Sequence, residues 1–371
     1  MDWLTASEAL ALLGTQPQTL YANVSRGRIK ARPDPLDSRR SLYRGDDVRR
    51  LAQRASGRRK QATVASEAMR WGEPVLPTSV STVRDGRLLY RGHDACSLAE
   101  HATLEEVAEL LWQSAVSLPE CQSDGQGLSA AFSALASRAA HAPAARRTAA
   151  MLAQDANEIL ATLAQALAGK RVSDPLHIRL AGHWSRQEAA EPIRRALVLL
   201  ADHELNTSTF AARVTVSTGA SLWAGALAGL ATLRGPRHGL ASPEIAALAQ
   251  DIGHGEHVEA DLRNWLGEGR HLPGMGHQLY PDGDARCRTL LRSFDLPADF
   301  RAYLAAARSL SGEEPNIDFA LAAMTSRFEL PADAGLTLFA LGRSVGWLAH
   351  MIEQVTSGEQ IRPRAQYIGP G

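Results

Sequence analysis

Residues 214–233 read VTVSTGASLWAGALAGLATL, a run of twenty residues without one charged side chain. The fold class turns on what such a run does. A membrane-spanning helix needs about 20 predominantly apolar residues, so length alone admits one. Composition points elsewhere: Thr215, Ser217, Thr218, Ser221 and Thr232 are polar, and Gly219, Gly225 and Gly229 leave almost no side chain. Small residues at four-residue spacing let helices approach closely in water as well as in lipid. A single span in the middle of an otherwise soluble chain is also poor topology. The run is read as a buried core helix, and no membrane partner is expected.

Working outward, the flanking sequence is rich in Ala and Leu at helical spacing, with Gly, Asn and Pro recurring as stops. Helices are predicted over 104–115, 130–168, 189–200, 211–233, 243–252, 299–310, 317–325 and 334–356. Strand signals are confined to 79–83 and 87–90, split by the turn pair Asp85 and Gly86. No solenoid-period repeat and no extended low-complexity tract interrupts this pattern. The expected class is mostly α. With 371 residues, 45% of them hydrophobic and 22% charged, the chain supplies a large core and two or three domains without a disulfide or metal staple. Cys96, Cys121 and Cys287 are widely spaced and form no CxxC pair, which fits a reducing cytoplasm. The N-terminus, MDWLTASEAL, has no basic flank and no long apolar stretch, so no secretory signal is read.

The net charge of zero is an average over unlike parts. Residues 1–60 hold 13 Lys and Arg against 6 Asp and Glu, net +7, which leaves net −7 for residues 61–371. Every basic residue of the first part lies between Arg26 and Lys60. Such asymmetry suits a basic module for a polyanion joined to a mildly acidic body. Thr5 or Ser7 caps a helix that Gly14 ends, and Pro17 opens a second with Thr19, Leu20 and Tyr21. A turn-rich basic stretch follows, then SLYRGDDVRRLAQR, a strand leading into an Asp-capped helix. That outline is a winged helix-turn-helix over 1–54, followed by a polar, basic linker over 55–74. LTASEALALLGTQPQTLYANVSRGRI resembles the N-terminal DNA-binding domain of the MerR and excisionase families. The resemblance implies that Thr19 and Tyr21 face the major groove, with Arg26, Arg28, Arg39 and Arg40 near phosphate. Protein contact, or a vestigial attachment, is the alternative role for this fold.

No GxGxxG, P-loop, GxSxG or HExxH is present, which removes the commonest nucleotide, hydrolase and zinc chemistries. What remains is histidine in turns: His203 in ADHELNTSTF, His238 in RGPRHGLASPEI and His277 in LPGMGHQLYPDGDAR. Glycine beside histidine lets backbone approach a ligand and leaves the ring unshielded, although each ring can equally be a satisfied core histidine. GHGEH places His254 and His257 three apart, with His271 further on, but no third well-placed ligand completes a metal site. In PNIDF, Asp318 stands at a helix start, where it either caps or, desolvated, acts as a general base. Arg286, Arg343 and Arg362 are surface charges or a set that holds a dicarboxylic acid.

Taken together, DHELNTSTFAARV, GPRHGLASPEI, PGMGHQLYPDGDAR, NIDFALA, LFALGRSVGWLAHMIEQ and IRPRAQYIG are similar in order and content to the citrate synthase family, and VRDGRLLYRGHDACSLAEHATLEEVAELLW to its N-terminal region. The resemblance covers about residue 75 to the C-terminus. It implies an all-helical large and small domain over 75–371, the small, mobile part at roughly 240–330, and a homodimer. It also implies an acyltransferase of the tricarboxylic acid cycle that condenses acetyl-CoA with oxaloacetate. 2-Methylcitrate synthase, using propionyl-CoA, is the alternative, and a DNA-binding regulator with a synthase-like sensor is the alternative of another class. No cofactor is implied beyond the CoA thioester co-substrate. By resemblance His238 stabilises the enol of the thioester, Asp318 removes its α-proton, and His277 hydrogen-bonds the ketone of oxaloacetate. His203, Arg286 and Arg343 bind carboxylates, Phe339 lines the same pocket, and Arg362 matches an arginine that reaches in from the second subunit.

Two departures stand out. Typical bacterial members read GHRVY followed by a basic residue that helps hold a CoA phosphate, whereas this loop carries Gln278, Pro281, Asp282 and Asp284. Phe319, Ala320 and Leu321 replace a more polar family stretch, which is expected to reshape the acyl pocket.

Overall fold

The computed structural model describes residues 2–13, 20, 23–25, 27–34, 41–49, 76–120, 125–140, 143–144, 147–169, 174–236, 238–239, 241–253, 258–365, 367 and 369. It divides into two compact units, one of residues Met1–Pro77 with Pro363–Gly371 and one of Thr78–Arg362.

In the first unit, strand β1 (Trp3–Leu4) leads into helix α1 (Ala6–Leu13). Thr5 caps α1 reciprocally with Glu8: Glu8 N donates to Thr5 Oγ1 at 3.3 Å and Thr5 N to Glu8 Oε2 at 2.8 Å. Residues 23–25 are also helical. Strands β2 (Ala31–Pro33) and β3 (Ser41–Arg44) complete a three-stranded antiparallel sheet in the order β1-β3-β2. A helix begins at residue 45, so Asp46 and Asp47 lie in its first turn rather than at its cap. Ala9, Leu20, Ile29, Tyr43 and Val48 form the unit's own small core. The predicted linker over 55–74 lies outside the described residues.

The second unit opens with the predicted hairpin. Strands β4 (Ser81–Arg84) and β5 (Arg87–Tyr90) pair through Asp85 and Gly86, both at positive φ, and β6 (His93–Asp94) adds a short edge. Everything beyond is helical: α2 (Ala95–Leu98), α3 (Leu104–Trp112), α4 (Leu128–Ala139), α5 (Ala149–Ala168), α6 (Leu176–His183), α7 (Ala190–Leu200), α8 (Thr207–Ser217), α9 (Leu222–Leu233), α10 (Ala241–Gly253), α11 (Val258–Gly267), α12 (Ala285–Leu291), α13 (Ala298–Ser311), α14 (Ile317–Arg327) and α15 (Ala334–Ser357). Helix α15 is buried from Ala334 through Met351 and packs against α3, α5, α7, α8 and α9. A helix apolar on all sides belongs in a core.

The uncharged run of 214–233 is two helices rather than one, and most of its second half, from Ser221 to Leu233, is buried or half-buried. Thr218 ends α8, Gly219 turns at φ 89°, and Ser221 restarts the chain by accepting from Ala224 N at 3.2 Å. The glycine spacing does what close packing requires. A Cβ at Gly225 would overlap Met351 Sδ, and one at Gly229 would lie 2.9 Å from the Trp347 ring. Likewise 130–168 is broken into α4 and α5, where Thr148 caps the second helix. Among the described residues no helix is long and apolar enough to cross a membrane.

Candidate active site

Asn206 begins the arrangement. Its Oδ1 accepts from Ser208 N at 3.1 Å and Thr209 N at 3.2 Å, which caps α8 and turns the preceding residues away from the helix. His203 sits in that turn, buried, with Nε2 2.8 Å from the Tyr280 hydroxyl. His277 joins them: its ring centroid lies 5.3 Å from that of His203, edge to face, and 4.9 Å from that of Tyr280. Leu279 N donates to His277 Nδ1 at 3.1 Å, so the imidazole proton is on Nε2 and that nitrogen is the free donor.

His238 is oriented from α8. Its Nε2 lies 2.8 Å from Ser208 Oγ, which also receives the Trp347 indole N–H at 3.1 Å. Ser208 Oγ also donates to Asn206 Oδ1 at 2.7 Å, so this hydroxyl ties the His238 ring to the cap of α8. Burial, with Arg343 nearby, lowers the His238 pKa to about 4. Burial, with Arg286 nearby, does the same to His277, also to about 4. His203 is held well below the ordinary imidazole range by burial and by both arginines. All three histidines are therefore neutral donors near pH 7, not cations.

The positive charge comes from the arginines. Arg286 is buried on α12 in a bidentate pair with Asp284, Nε to Oδ1 at 3.0 Å and Nη2 to Oδ2 at 2.8 Å, and it lies over the Tyr280 ring. Burial pushes its pKa down, but Asp284 and Tyr280 outweigh this and hold it above the ordinary value. Arg343, on α15, donates Nε to Leu200 O at 2.9 Å and lies over Phe339. Among the described residues its Nη1 and Nη2 have no hydrogen-bond partner. Burial first, and Arg286 second, lower its pKa, with Asp202 opposing. A buried guanidinium with free N–H groups is a ready receptor for a carboxylate.

Asp318 is not the cap. Asn316 caps α14, accepting from Asp318 N at 3.0 Å, and its Nδ2 donates to Gly276 O at 2.9 Å. Gly276 N in turn donates to Glu314 O at 2.8 Å, so the segment before His277 is stitched to the one before Asp318. The Asp318 carboxylate is left with a buried Oδ1 that has no hydrogen-bond partner among the described residues. Burial raises its pKa to about 6, against the pull of Arg286 and Arg343. That is the environment of a base.

The structure thus brings His203, His238, His277, Arg286, Asp318, Phe339 and Arg343 into one electrostatically coupled site within one unit. Arg362 is exposed. Tyr280, Ser208, Asn206 and Asn316 orient the site and went unread in the sequence. Only the cap preference of Asn gave a signal for them. Asp284 corrects the expectation of an added negative charge in the loop: it is buried, and Arg286 neutralises it, while Gln278, Pro281 and Asp282 are exposed. Phe319 corrects another, since it packs on Phe300 and Tyr303 in the core, with ring centroids at 5.6 and 6.1 Å.

Of the predicted DNA-contacting residues, Arg28 is exposed, and Thr19, Tyr21, Arg26, Arg39 and Arg40 lie outside the described residues. So do His254 and His257, whereas His271 is exposed. Among the described residues no group of three His, Cys, Asp or Glu side chains is placed to hold a metal.

Comparison with known proteins bears on the same region. Residues 117–364 match the family model described as citrate synthase, C-terminal domain. Citrate synthase 2 of Bacillus subtilis is 31% identical over 354 residues, which span 81% of this chain and 95% of that protein. The crystal structure of citrate synthase from Thermotoga maritima superposes with a TM-score of 0.67 at 24% identity, covering 82% of this chain and 96% of that one. The ternary complex of carboxymethyl coenzyme A and oxaloacetate with citrate synthase from Thermoplasma acidophilum superposes with a TM-score of 0.61 at 22% identity, covering 80% of this chain and 94% of that one. The chain belongs to the citrate synthase family.

Proposed function

We propose that the chain condenses an acyl-CoA with oxaloacetate, acetyl-CoA before propionyl-CoA, and releases citrate and CoA. The observation that carries this is the partnerless, desolvated Asp318 carboxylate placed in one site with neutral imidazole donors and buried arginines. Asp318 takes the α-proton of the thioester. A bare carboxylate cannot do this unaided, so the neutral His238 imidazole donates an N–H to the developing enolate oxygen as charge builds there. Arg286, Arg343 and His203 hold the two carboxylates of oxaloacetate and fix its ketone beside the enol. His277 Nε2–H donates to that ketone and supplies its proton as the carbon–carbon bond forms. Water then cleaves the citryl thioester into citrate and CoA. Closure of a smaller part of the body at roughly 240–330 would dry the site and strengthen each of these bonds.

A homodimer is part of the same reading, with exposed Arg362 completing the carboxylate site of a second copy. The free thiols of Cys96 and Cys287 suit a reducing cytoplasm. The test is release of CoA thiol from oxaloacetate with acetyl-CoA or propionyl-CoA, with Asp318→Ala as control. Absence of thiol release with either thioester defeats the proposal.

A second reading concerns the first unit, whose exposed Arg28, Lys30 and Arg32 lie on or beside strand β2 next to helical segments. We propose that this winged helix-turn-helix binds DNA and that the synthase body senses a carboxylate or acyl-CoA. A gel shift on the gene's own upstream DNA, with and without citrate, tests it. Failure to bind at any salt concentration removes it.

A further inference from the structure

His203 lies in a segment clamped from both sides by groups that the proposed chemistry does not use. Asp202 is fully buried, and its Oδ2 accepts from Ser81 Oγ and, at 3.1 Å, from His350 Nε2. Its backbone N–H donates to the Tyr90 hydroxyl at 3.2 Å. On the other side of His203, Glu204 stands at φ 53°, a left-handed conformation that a residue with a Cβ adopts only where its surroundings impose it. Here Glu204 N donates to Ser81 Oγ at 3.0 Å, and its Oε1 accepts from Thr82 Oγ1 at 3.1 Å and from Val83 N. The Ser81 hydroxyl therefore donates to Asp202 and accepts from Glu204, pinning the residues that flank His203.

The orientation of His350 is fixed from behind. Its Nδ1 lies 3.3 Å from Arg213 Nη1 and 3.5 Å from Thr78 Oγ1. A guanidinium nitrogen only donates, so Nδ1 accepts and the imidazole proton lies on Nε2, facing Asp202. Arg213 is itself held by Glu353 Oε2 and Gln354 Oε1, each at 2.9 Å. Gly346, one turn earlier on α15, leaves room for this approach, because a Cβ there would overlap Asp202 Oδ1 and Ala201 O. Asp202 also offsets the charge of Arg343. One buried carboxylate thus touches the positioning of both His203 and Arg343.

We infer that His350 is a positioning residue for the 2-oxo acid: through Asp202 and Ser81 it sets the His203 imidazole and the Arg343 guanidinium in place for a carboxylate. The inference rests on the reading above, in which those two residues bind oxaloacetate. His350→Leu removes both hydrogen bonds. His350→Gln can offer an amide N–H to Asp202 and a carbonyl oxygen to Arg213.

In the full-length enzyme, His350→Leu is expected to raise KM for oxaloacetate about tenfold while KM for the acyl-CoA stays within about twofold, and His350→Gln to stay within about threefold of wild type for both. Selective 15N-histidine NMR is expected to show a wild-type imidazole with its proton on Nε2, lost in His350→Gln. Unchanged KM for oxaloacetate in His350→Leu overturns the inference, as does a parallel rise for both substrates or a His350 proton found on Nδ1. Should His350→Leu not fold, Ser81→Ala removes the other donor to the same oxygen and carries the same expectation and the same refuting result. A wild-type enzyme that releases no CoA fails the functional reading instead, and the Nε2 assignment then still tests the geometry.

Discussion

Asp284 and Arg286 form a buried bidentate ion pair two residues apart, and Asp284 Oδ2 also accepts Ile317 N at 3.0 Å. One carboxylate thereby orients a cationic side chain of the site and anchors the start of the helix that carries Asp318. Burial opposes its ionisation, but Arg286 holds the Asp284 pKa below the ordinary carboxylate range. Asp284→Asn leaves Arg286 buried without its counter-charge. Loss of one partner from such a pair costs about 3–5 kcal/mol. We expect a marked fall in melting temperature at pH 7. A depressed carboxyl pKa stabilises the fold above the unfolded value and loses that effect as pH falls through the folded value, so the gap between wild type and variant narrows in acid. Thermal denaturation at a series of pH values checks both points.

Asp318 has the opposite signature. Its folded pKa, raised to about 6, lies above the ordinary aspartate value, so ionisation weakens the fold. Between those values the native state binds more protons than the unfolded chain, and stability falls as pH rises. Asp318→Asn is therefore expected to be more stable than wild type near pH 7, by about 1–3 kcal/mol, with the advantage gone below about pH 4. The same substitution abolishes condensation, because the amide cannot accept the α-proton. In the wild type, kcat/KM for the acyl-CoA should fall about tenfold per pH unit below about 6. Equal stability of variant and wild type at pH 7 would argue against the desolvated carboxylate.

Ser208 contributes through His238 rather than by touching substrate. Ser208→Ala removes the partner of His238 Nε2 and the acceptor of the Trp347 N–H, so the imidazole loses the contact that orients it. We expect kcat to fall by about 10–100-fold with a smaller change in KM for oxaloacetate. Steady-state kinetics in both substrates separates the two. A rise confined to KM for oxaloacetate would place Ser208 on the other half of the reaction.

Much of this was legible in the sequence, and the parts that were not share a cause. Turn sequences marked His203, His238 and His277 one by one, but their convergence is a tertiary fact carried by Asn206, Asn316 and the hydrogen bonds between the Gly274–Gly276 and Glu314–Asn316 segments. An uncharged run read as one helix because nothing in its apolar content marks a break. The break is made by Gly219 and the hydroxyl of Ser221. Asp284 looked like added negative charge because spacing shows neither burial nor an arginine two residues away turned back upon it. Asp318 looked like a cap because Asp and Asn share that preference, and only the geometry of Asn316 separates them.

Close packing between α9 and α15 gives a test of the fold independent of chemistry. A Cβ at Gly229 would lie 2.9 and 3.0 Å from two atoms of the Trp347 ring, which is itself fully buried. Gly229→Ala gains helix propensity of about 1 kcal/mol but meets a rigid ring. Overpacking of this kind costs about 1–3 kcal/mol. We expect a net loss of stability, measured by denaturant unfolding, where an exposed helix would have gained.

The exposed face of the loop after His277 sets the last expectation. Gln278 and Asp282 are exposed, where bacterial relatives by resemblance carry positive charge for a CoA phosphate, and Asp284 adds none of its own charge to that face. Gln278→Arg restores a cation without disturbing Leu279 N or the His277 tautomer. KM for the acyl-CoA should fall by about two- to fivefold at low ionic strength, roughly 0.5–1 kcal/mol as for an exposed ion pair, with kcat unchanged. The gain should shrink as salt is raised, since an exposed pair is screened over about 8–10 Å at 0.1–0.15 M. Parallel assays with a CoA thioester and with a truncated pantetheine thioester, which lacks the nucleotide phosphates, locate the effect. An equal gain for both would place Gln278 against the acyl arm instead.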